Sequence, residues 1–124
     1  MNLKFYKCAN CGQMIAKVKD TGLPVVCCGK EMMDLIPGSI DASQEKHVPV
    51  YEIKDDQVTV TVGSIEHPMA EEHYIEWIAL QTKAGNQRKE LKPGMAPKVC
   101  FALCEGDEVE AVYAYCNLHG LWKG

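Results

Sequence analysis

Four cysteines crowd into the first quarter of the chain, at Cys8-Ala9-Asn10-Cys11 and Cys27-Cys28, and a glycine follows each pair. The stretch from residue 1 to 36 that contains them is too short to bury enough apolar surface to fold unaided, so a metal ion is the expected staple. Cys8 and Cys11 have the spacing of a metal knuckle, in which backbone N–H groups turn towards the sulfurs. Cys27 and Cys28 close the site after an intervening hairpin. Adjacent cysteines cannot form a second knuckle of the same shape, which predicts a distorted tetrahedron. Four thiolates suit zinc or iron, and this spacing by itself favours structural zinc.

Ile36-Pro37-Gly38-Ser39 is the natural boundary, because proline and glycine together punctuate a chain. It separates a module at residues 1–36 from a domain at residues 37–124. Beyond it the pattern is that of strands. Val58-Thr59-Val60-Thr61-Val62 alternates strictly, Tyr74 to Gln81 is a longer apolar run, and Val99 to Leu103 and Val109 to Tyr115 complete the set. Turn residues separate these runs at 54–57, 83–86, 93–94 and 105–107. No stretch carries a 3.6-residue apolar stripe, so the expected fold is all-β, an antiparallel β-sandwich behind a small metal-stapled module. Trp77 is expected in its core.

A second cluster of metal-binding residue types lies in this domain. All four histidines of the chain fall in short polar segments: Glu45-Lys46-His47, His67-Pro68-Met69-Ala70-Glu71-Glu72-His73, and Cys116-Asn117-Leu118-His119-Gly120. A thiolate and an imidazole two residues apart can grip one cation in a tight turn, with Gly120 giving backbone freedom beyond it. Four imidazoles and one thiolate make five ligands, one more than a tetrahedral structural zinc site uses. A sixth position then stays open. Ligands of this softness suit iron, copper or zinc, and an open position on a redox metal is where chemistry happens.

The chain has seven cysteines, an odd number, and its opening residues reach Cys8 without the apolar run of a signal peptide. Reduced thiolates in a cytoplasmic protein are therefore expected, rather than a secreted disulfide scaffold. No apolar run is long enough to span a membrane. Cys100 and Cys104, on one extended strand, would stand about 13 Å apart, too far for a disulfide, and read as small buried hydrophobes. A formal net charge of −4 argues against nucleic acid as partner. Attraction of an anion must then be local.

These motifs together resemble the superoxide reductase family. Glu-Lys-His near the start of the domain, His-Pro followed by a second histidine in its middle, and Cys-Xaa2-His-Gly at its end carry the resemblance. The Cys8, Cys11, Cys27 and Cys28 module is similar to the desulforedoxin-type iron module of desulfoferrodoxins, the two-iron superoxide reductases. The resemblance covers nearly the whole chain. It implies an immunoglobulin-like sandwich of seven strands and two mononuclear irons. One would be held by the four cysteines, where zinc remains possible, and the other by His47, His67, His73, His119 and Cys116. It implies that the histidine matching His119 binds through its other ring nitrogen than the first three. The activity it implies is reduction of superoxide to hydrogen peroxide, with rubredoxin or a similar small protein as electron donor and a homodimer formed through the first module.

Around a ferrous ion, four neutral imidazoles and one thiolate leave a net charge of about +1, attractive to a small anion. A surface lysine is ordinarily a solvated charge, but the resemblance gives Lys46 the task of drawing in superoxide and ordering the water that delivers protons. It gives Glu45 the open position on the oxidised metal. Glu71 and Glu72 could orient the histidines beside them, and Trp122 could shield the metal's edge near Cys116. Two other function classes stay open on the residues alone: an iron protein that only transfers electrons or senses oxygen, and a zinc-stapled binding module.

Overall fold

The computed structural model describes residues 3–124. The chain divides after Ile36 into two compact units, the second being Pro37–Gly124.

The first unit is built from very short strands: β1 (Phe5–Lys7), β2 (Met14–Ala16), β3 (Val26–Cys27), β4 (Lys30–Glu31) and β5 (Met33–Asp34). β1 pairs antiparallel with both β2 and β5, while β3 and β4 form a separate hairpin. Cys28 and Gly29 are the two turn residues of that hairpin, both at positive φ, +52° and +74°. The chain between Cys11 and Cys27 is therefore not one hairpin: β2 returns to β1, and the cysteine pair arrives on a hairpin of its own. Phe5, Cys8 and Met32 are the buried apolar side chains among the described residues of this unit, whereas Val18, Leu23 and Val26 are exposed.

The second unit is an immunoglobulin-like sandwich. A single helical turn, α1 (Gln44–His47), precedes seven strands: β6 (Pro49–Lys54), β7 (Gln57–Val62), β8 (Ile75–Thr82), β9 (Asn86–Glu90), β10 (Lys98–Ala102), β11 (Val109–Cys116) and β12 (Gly120–Lys123). One antiparallel sheet has the order β10-β7-β6, the other β12-β11-β8-β9. Alternation on β7 sends Val58, Val60 and Val62 inward, where they meet Phe101 of β10 and Ile78, Leu80, Val112 and Ala114 of the other sheet. This is the period-2 burial that a half-buried strand dictates. Trp77 of β8 is buried, as expected, and stacks on Tyr115 of β11 with ring centroids 5.7 Å apart.

Near its end the four-stranded sheet is irregular. The β11–β8 register shifts between Tyr115 and Cys116, so Cys116 pairs with Ile75 and both enter the core cluster. A bulge of this kind re-aims side chains at a sheet's rim. Here the extra residue is Glu76 of β8, so Ile75 and Ile78 both face inward, while Cys116 follows Val112 and Ala114 inward by the plain alternation of β11.

One expectation needs correction. Cys100 and Cys104 are not buried: Cys100 is half-exposed and Cys104 exposed. Cys100 pairs with Thr59, on the face of β7 opposite its valines, and Cys104 lies beyond the end of β10.

Candidate metal centres

In the first unit the sulfurs of Cys8, Cys11, Cys27 and Cys28 all lie within 4.8 Å of one another. Cys11 Sγ stands 3.7 Å from Cys27 Sγ, which is 4.0 Å from Cys28 Sγ. Thiolates tetrahedrally bound at ~2.3 Å would stand ~3.8 Å apart, so the spacing fits one enclosed ion. The Cys11 backbone N–H donates to Cys8 Sγ at 3.5 Å. That hydrogen bond, with another from Asn10, lowers the Cys8 thiol to about 6. Cys27, surrounded by the sulfurs of Cys11 and Cys8, is pushed up to about 12. Four sulfurs packed this closely cannot all be anionic without a cation among them.

In the second unit, elements far apart in sequence deliver four imidazoles to one place. α1 carries His47, the segment after β7 carries His67 and His73, and the loop between β11 and β12 carries His119. Neighbouring rings, His47–His67, His67–His73, His73–His119 and His47–His119, have centroids 4.6 to 5.0 Å apart and interplanar angles of 77° to 88°. His47 and His73 face each other across the ring at 6.2 Å. The ligand atoms of His47, His67, His73 and Cys116 lie within 4.8 Å of one another. His119 Nδ1 is 3.1 Å from His47 Nε2 and 3.8 Å from Cys116 Sγ.

The tautomers follow from the partners. His47 Nδ1 is 2.6 Å from the Ser43 carbonyl and His67 Nδ1 is 2.6 Å from the Pro68 carbonyl. A carbonyl can only accept, so both Nδ1 atoms carry the proton and both Nε2 atoms present lone pairs. Those two Nε2 atoms stand 3.2 Å apart. Two lone pairs so placed repel unless a cation lies between them. His73 Nε2, within 4.8 Å of the other ligand atoms, is buried with no hydrogen-bond partner. The donor set fits a metal ion. His119 turns Nδ1 inward where the others turn Nε2.

Local structure explains the placement. Cys116 closes β11 and pairs with Gly120 at the start of β12, so a three-residue loop carries His119 back beside it. Gly120 adopts φ +77°, and a Cβ there would come within 2.9 Å of Ile40 Cδ1. Burial raises the Cys116 thiol, while the backbone N–H groups of Leu118 and His119 counter this by stabilising the thiolate. Asn117 ties the loop to the segment bearing His73: its Nδ2 donates to the Glu72 carbonyl at 3.1 Å and its Oδ1 accepts from the Tyr74 N–H at 3.0 Å. The sequence reading missed Asn117, although an asparagine beside a ligand cysteine in a tight loop was the available signal. Glu71 and Glu72 are exposed, and backbone carbonyls, not carboxylates, orient His47 and His67. Trp122 packs on His47, ring centroids 5.1 Å apart, and donates Nε1–H to the His119 carbonyl at 3.0 Å. It therefore covers the imidazoles rather than the sulfur.

His47 and His67 are buried, His73 and His119 half-buried, and Glu45 and Lys46 exposed, so the cluster opens on one side. Burial holds His47, His67 and His73 below the ordinary imidazole value, His67 at about 4, and the Lys46 charge lowers His47 and His73 further. Those three imidazoles are thus neutral and able to ligate at pH 7. Below 6.5 the unfolded chain takes up protons that the folded His67 refuses. The contribution of neutral His67 to the stability of the metal-free second unit should therefore be fully present above pH 6.5 and be lost as pH falls towards about 4. Urea unfolding midpoints at the two ends of that window check this; equal midpoints would contradict it.

The desulfoferrodoxin family model matches residues 39–124. The desulfoferrodoxin of Syntrophotalea carbinolica is 45% identical over 121 residues, covering 98% of this chain and 94% of that protein. The crystal structure of the superoxide reductase from Treponema pallidum matches with a TM-score of 0.85 at 40% identity, covering 100% of this chain and 99% of that one. The one-iron superoxide reductase of Giardia intestinalis matches 64% of this chain and 95% of its own, with a TM-score of 0.55 at 35% identity.

Proposed function

The chain belongs to the desulfoferrodoxin family and is a superoxide reductase, and we propose that its chemistry takes place at the imidazole and thiolate cluster of the second unit. One electron and two protons convert superoxide to hydrogen peroxide, and no dioxygen is returned. The observation that carries the choice of site is the opposed lone pairs of His47 and His67 beside the buried, unpartnered Nε2 of His73. Together with His119 and Cys116 these residues would hold one iron, which when bound supplies the single electron.

The remaining roles fall to the chain's own groups. Cys116, its sulfur met by two backbone N–H groups, supplies an anionic ligand that pushes electron density onto the metal. Lys46, exposed beside the cluster and close enough for its charge to act on His47 and His73, draws the anion in and keeps a water at hand as proton source. Glu45, exposed on the same turn, occupies the open side between turnovers. Trp122 keeps water from the face of His47.

The four-cysteine centre of the first unit would hold the second iron in an auxiliary role, and its sulfur spacing is equally compatible with zinc. Metal content and the visible spectrum decide between them: two irons per chain are expected, each with ferric-thiolate absorption. The donor that restores the electron is rubredoxin or a similar small redox protein. A homodimer through the first unit is consistent with its few buried apolar side chains and with exposed Val18, Leu23 and Val26. Among the described residues no helix is long and apolar enough to cross a membrane. Seven unpaired cysteines are consistent with the reducing cytoplasm.

Lys46→Ala tests the site. Electrostatic steering is worth ~10-fold or more in an encounter rate at low salt, and screening removes it as the Debye length falls from ~10 Å at 0.1 M to ~3 Å at 1 M. The variant should react with superoxide roughly tenfold more slowly at low ionic strength and show a flatter salt dependence. An unchanged encounter rate would remove the lysine's role.

A further inference from the structure

The turn that carries Glu45, Lys46 and His47 is too short to hold its own shape. α1 has four residues and a single helical hydrogen bond at its end, from the Val48 N–H to the Gln44 carbonyl at 2.9 Å. One turn of helix is unstable in water without tertiary support. The support comes from the loop that leaves β7. The Ile65 N–H donates to the Glu45 carbonyl at 2.9 Å, and the Ser64 hydroxyl donates to the same oxygen at 3.2 Å.

Gly63 lets the two backbones approach this closely. A Cβ at position 63 would sit 2.5 Å from the Glu45 carbonyl oxygen, 2.9 Å from the Lys46 carbonyl carbon and 3.1 Å from the Val48 carbonyl oxygen. Every atom it would meet is backbone, so no side chain can swing away. The loop is itself closed, by the Gly63 N–H on the Ile65 carbonyl at 3.2 Å and the His67 N–H on the Val62 carbonyl at 2.9 Å. One short segment thus fixes His67 at its far end and grips the Glu45 carbonyl in its middle.

We infer that Gly63, Ser64 and Ile65 form a backbone clasp that sets where Lys46 stands over the open side of the cluster, which makes Gly63 and Ser64 positioning residues for capture of the anion. The inference rests on the reading of Lys46 given above. The exposed lysine side chain has no salt bridge among the described residues, so the turn beneath it defines its position. Loosening the clasp spreads the ammonium over more positions and weakens the field at the site without removing any ligand.

The test uses the metal-loaded protein with Gly63→Ala, Ser64→Ala, Lys46→Ala and the Gly63→Ala/Lys46→Ala pair. Two quantities are read: the superoxide encounter rate against ionic strength, and amide hydrogen exchange at residues 45–48 and 65. Gly63→Ala should slow the encounter several-fold at low salt and flatten its salt dependence, with the ferric-thiolate absorption unchanged. The double variant should be no slower than Lys46→Ala alone, because both changes act through one charge. Ser64→Ala, which removes one hydrogen bond of a pair, should accelerate exchange of the Ile65 and Val48 amides by roughly 2- to 10-fold, and Ser64→Thr should restore it.

A wild-type rate and salt slope in Gly63→Ala, alongside a slowed Lys46→Ala, would overturn the clasp and leave the lysine's role standing. An unaffected Lys46→Ala would overturn both. If Gly63→Ala fails to fold, unchanged amide exchange in Ser64→Ala still overturns the clasp.

Discussion

Replacing Cys116 by serine is expected to abolish superoxide reduction and to remove the ferric-thiolate absorption of the second centre, while the absorption of the first persists. The sulfur has no carbon-based substitute here. It lies fully buried at the end of β11, on the inward face with Val112 and Ala114, with His119 Nδ1 3.8 Å away. A serine hydroxyl keeps the shape but stays protonated at neutral pH, so it brings neither the negative charge nor the polarisable electrons that a thiolate gives a metal. Loss of a supporting group around a metal costs ~10- to 100-fold; loss of the thiolate itself should exceed that range. The fold should survive, because the exchange is close to isosteric and β11 is locked between β8 and β12. Retention of rapid superoxide reduction by a correctly folded Cys116→Ser protein would mean the sulfur is structural.

Removing the metal from the four-cysteine centre should unfold the first unit and leave the second intact. The three buried apolar residues among those described, together with strands of two or three residues, cannot offset the entropy of ordering this segment. A four-thiolate metal site contributes ~10 to 16 kcal/mol of apparent binding free energy, which in such modules is folding free energy. The sandwich has its own cluster of eleven buried residues and does not depend on that contribution. Amide exchange after chelation should show residues 3–36 unprotected and the strands of the second unit still protected. Protection surviving in the first unit without metal would refute the staple.

The candidate ligands that the structure brings together were legible because ligand chemistry restricts residue type so narrowly. Few other arrangements of four histidines and a Cys-Xaa2-His loop make physical sense in one small domain. β7 was legible for the opposite reason: its strict alternation reports burial on one face only. The edge strands β6 and β9 were not, although β10, also at an edge, was. β9 is entirely polar, Asn86 to Glu90, and exists through its hydrogen bonds to β8. β6 is exposed along nearly its whole length, so no period marks it. The α1 turn is too short for any helical pattern and depends on contacts from a distant loop.

Cys100 shows how residue averages mislead. Cysteine is commonly buried, but the register with Thr59 puts this one on the outer face of its sheet. The choice of ring nitrogen at His119 was legible only through resemblance, since it depends on how a three-residue loop closes between Cys116 and Gly120.

The most direct test of the central claim is a single turnover. The iron-loaded, fully reduced protein is mixed rapidly with superoxide, and hydrogen peroxide, dioxygen and the absorption of the second centre are followed together. One hydrogen peroxide per second-site iron oxidised, with no dioxygen evolved, is the expected result. Decay of superoxide no faster than its spontaneous dismutation, with the cluster of His47, His67, His73, His119 and Cys116 still reduced, would contradict it.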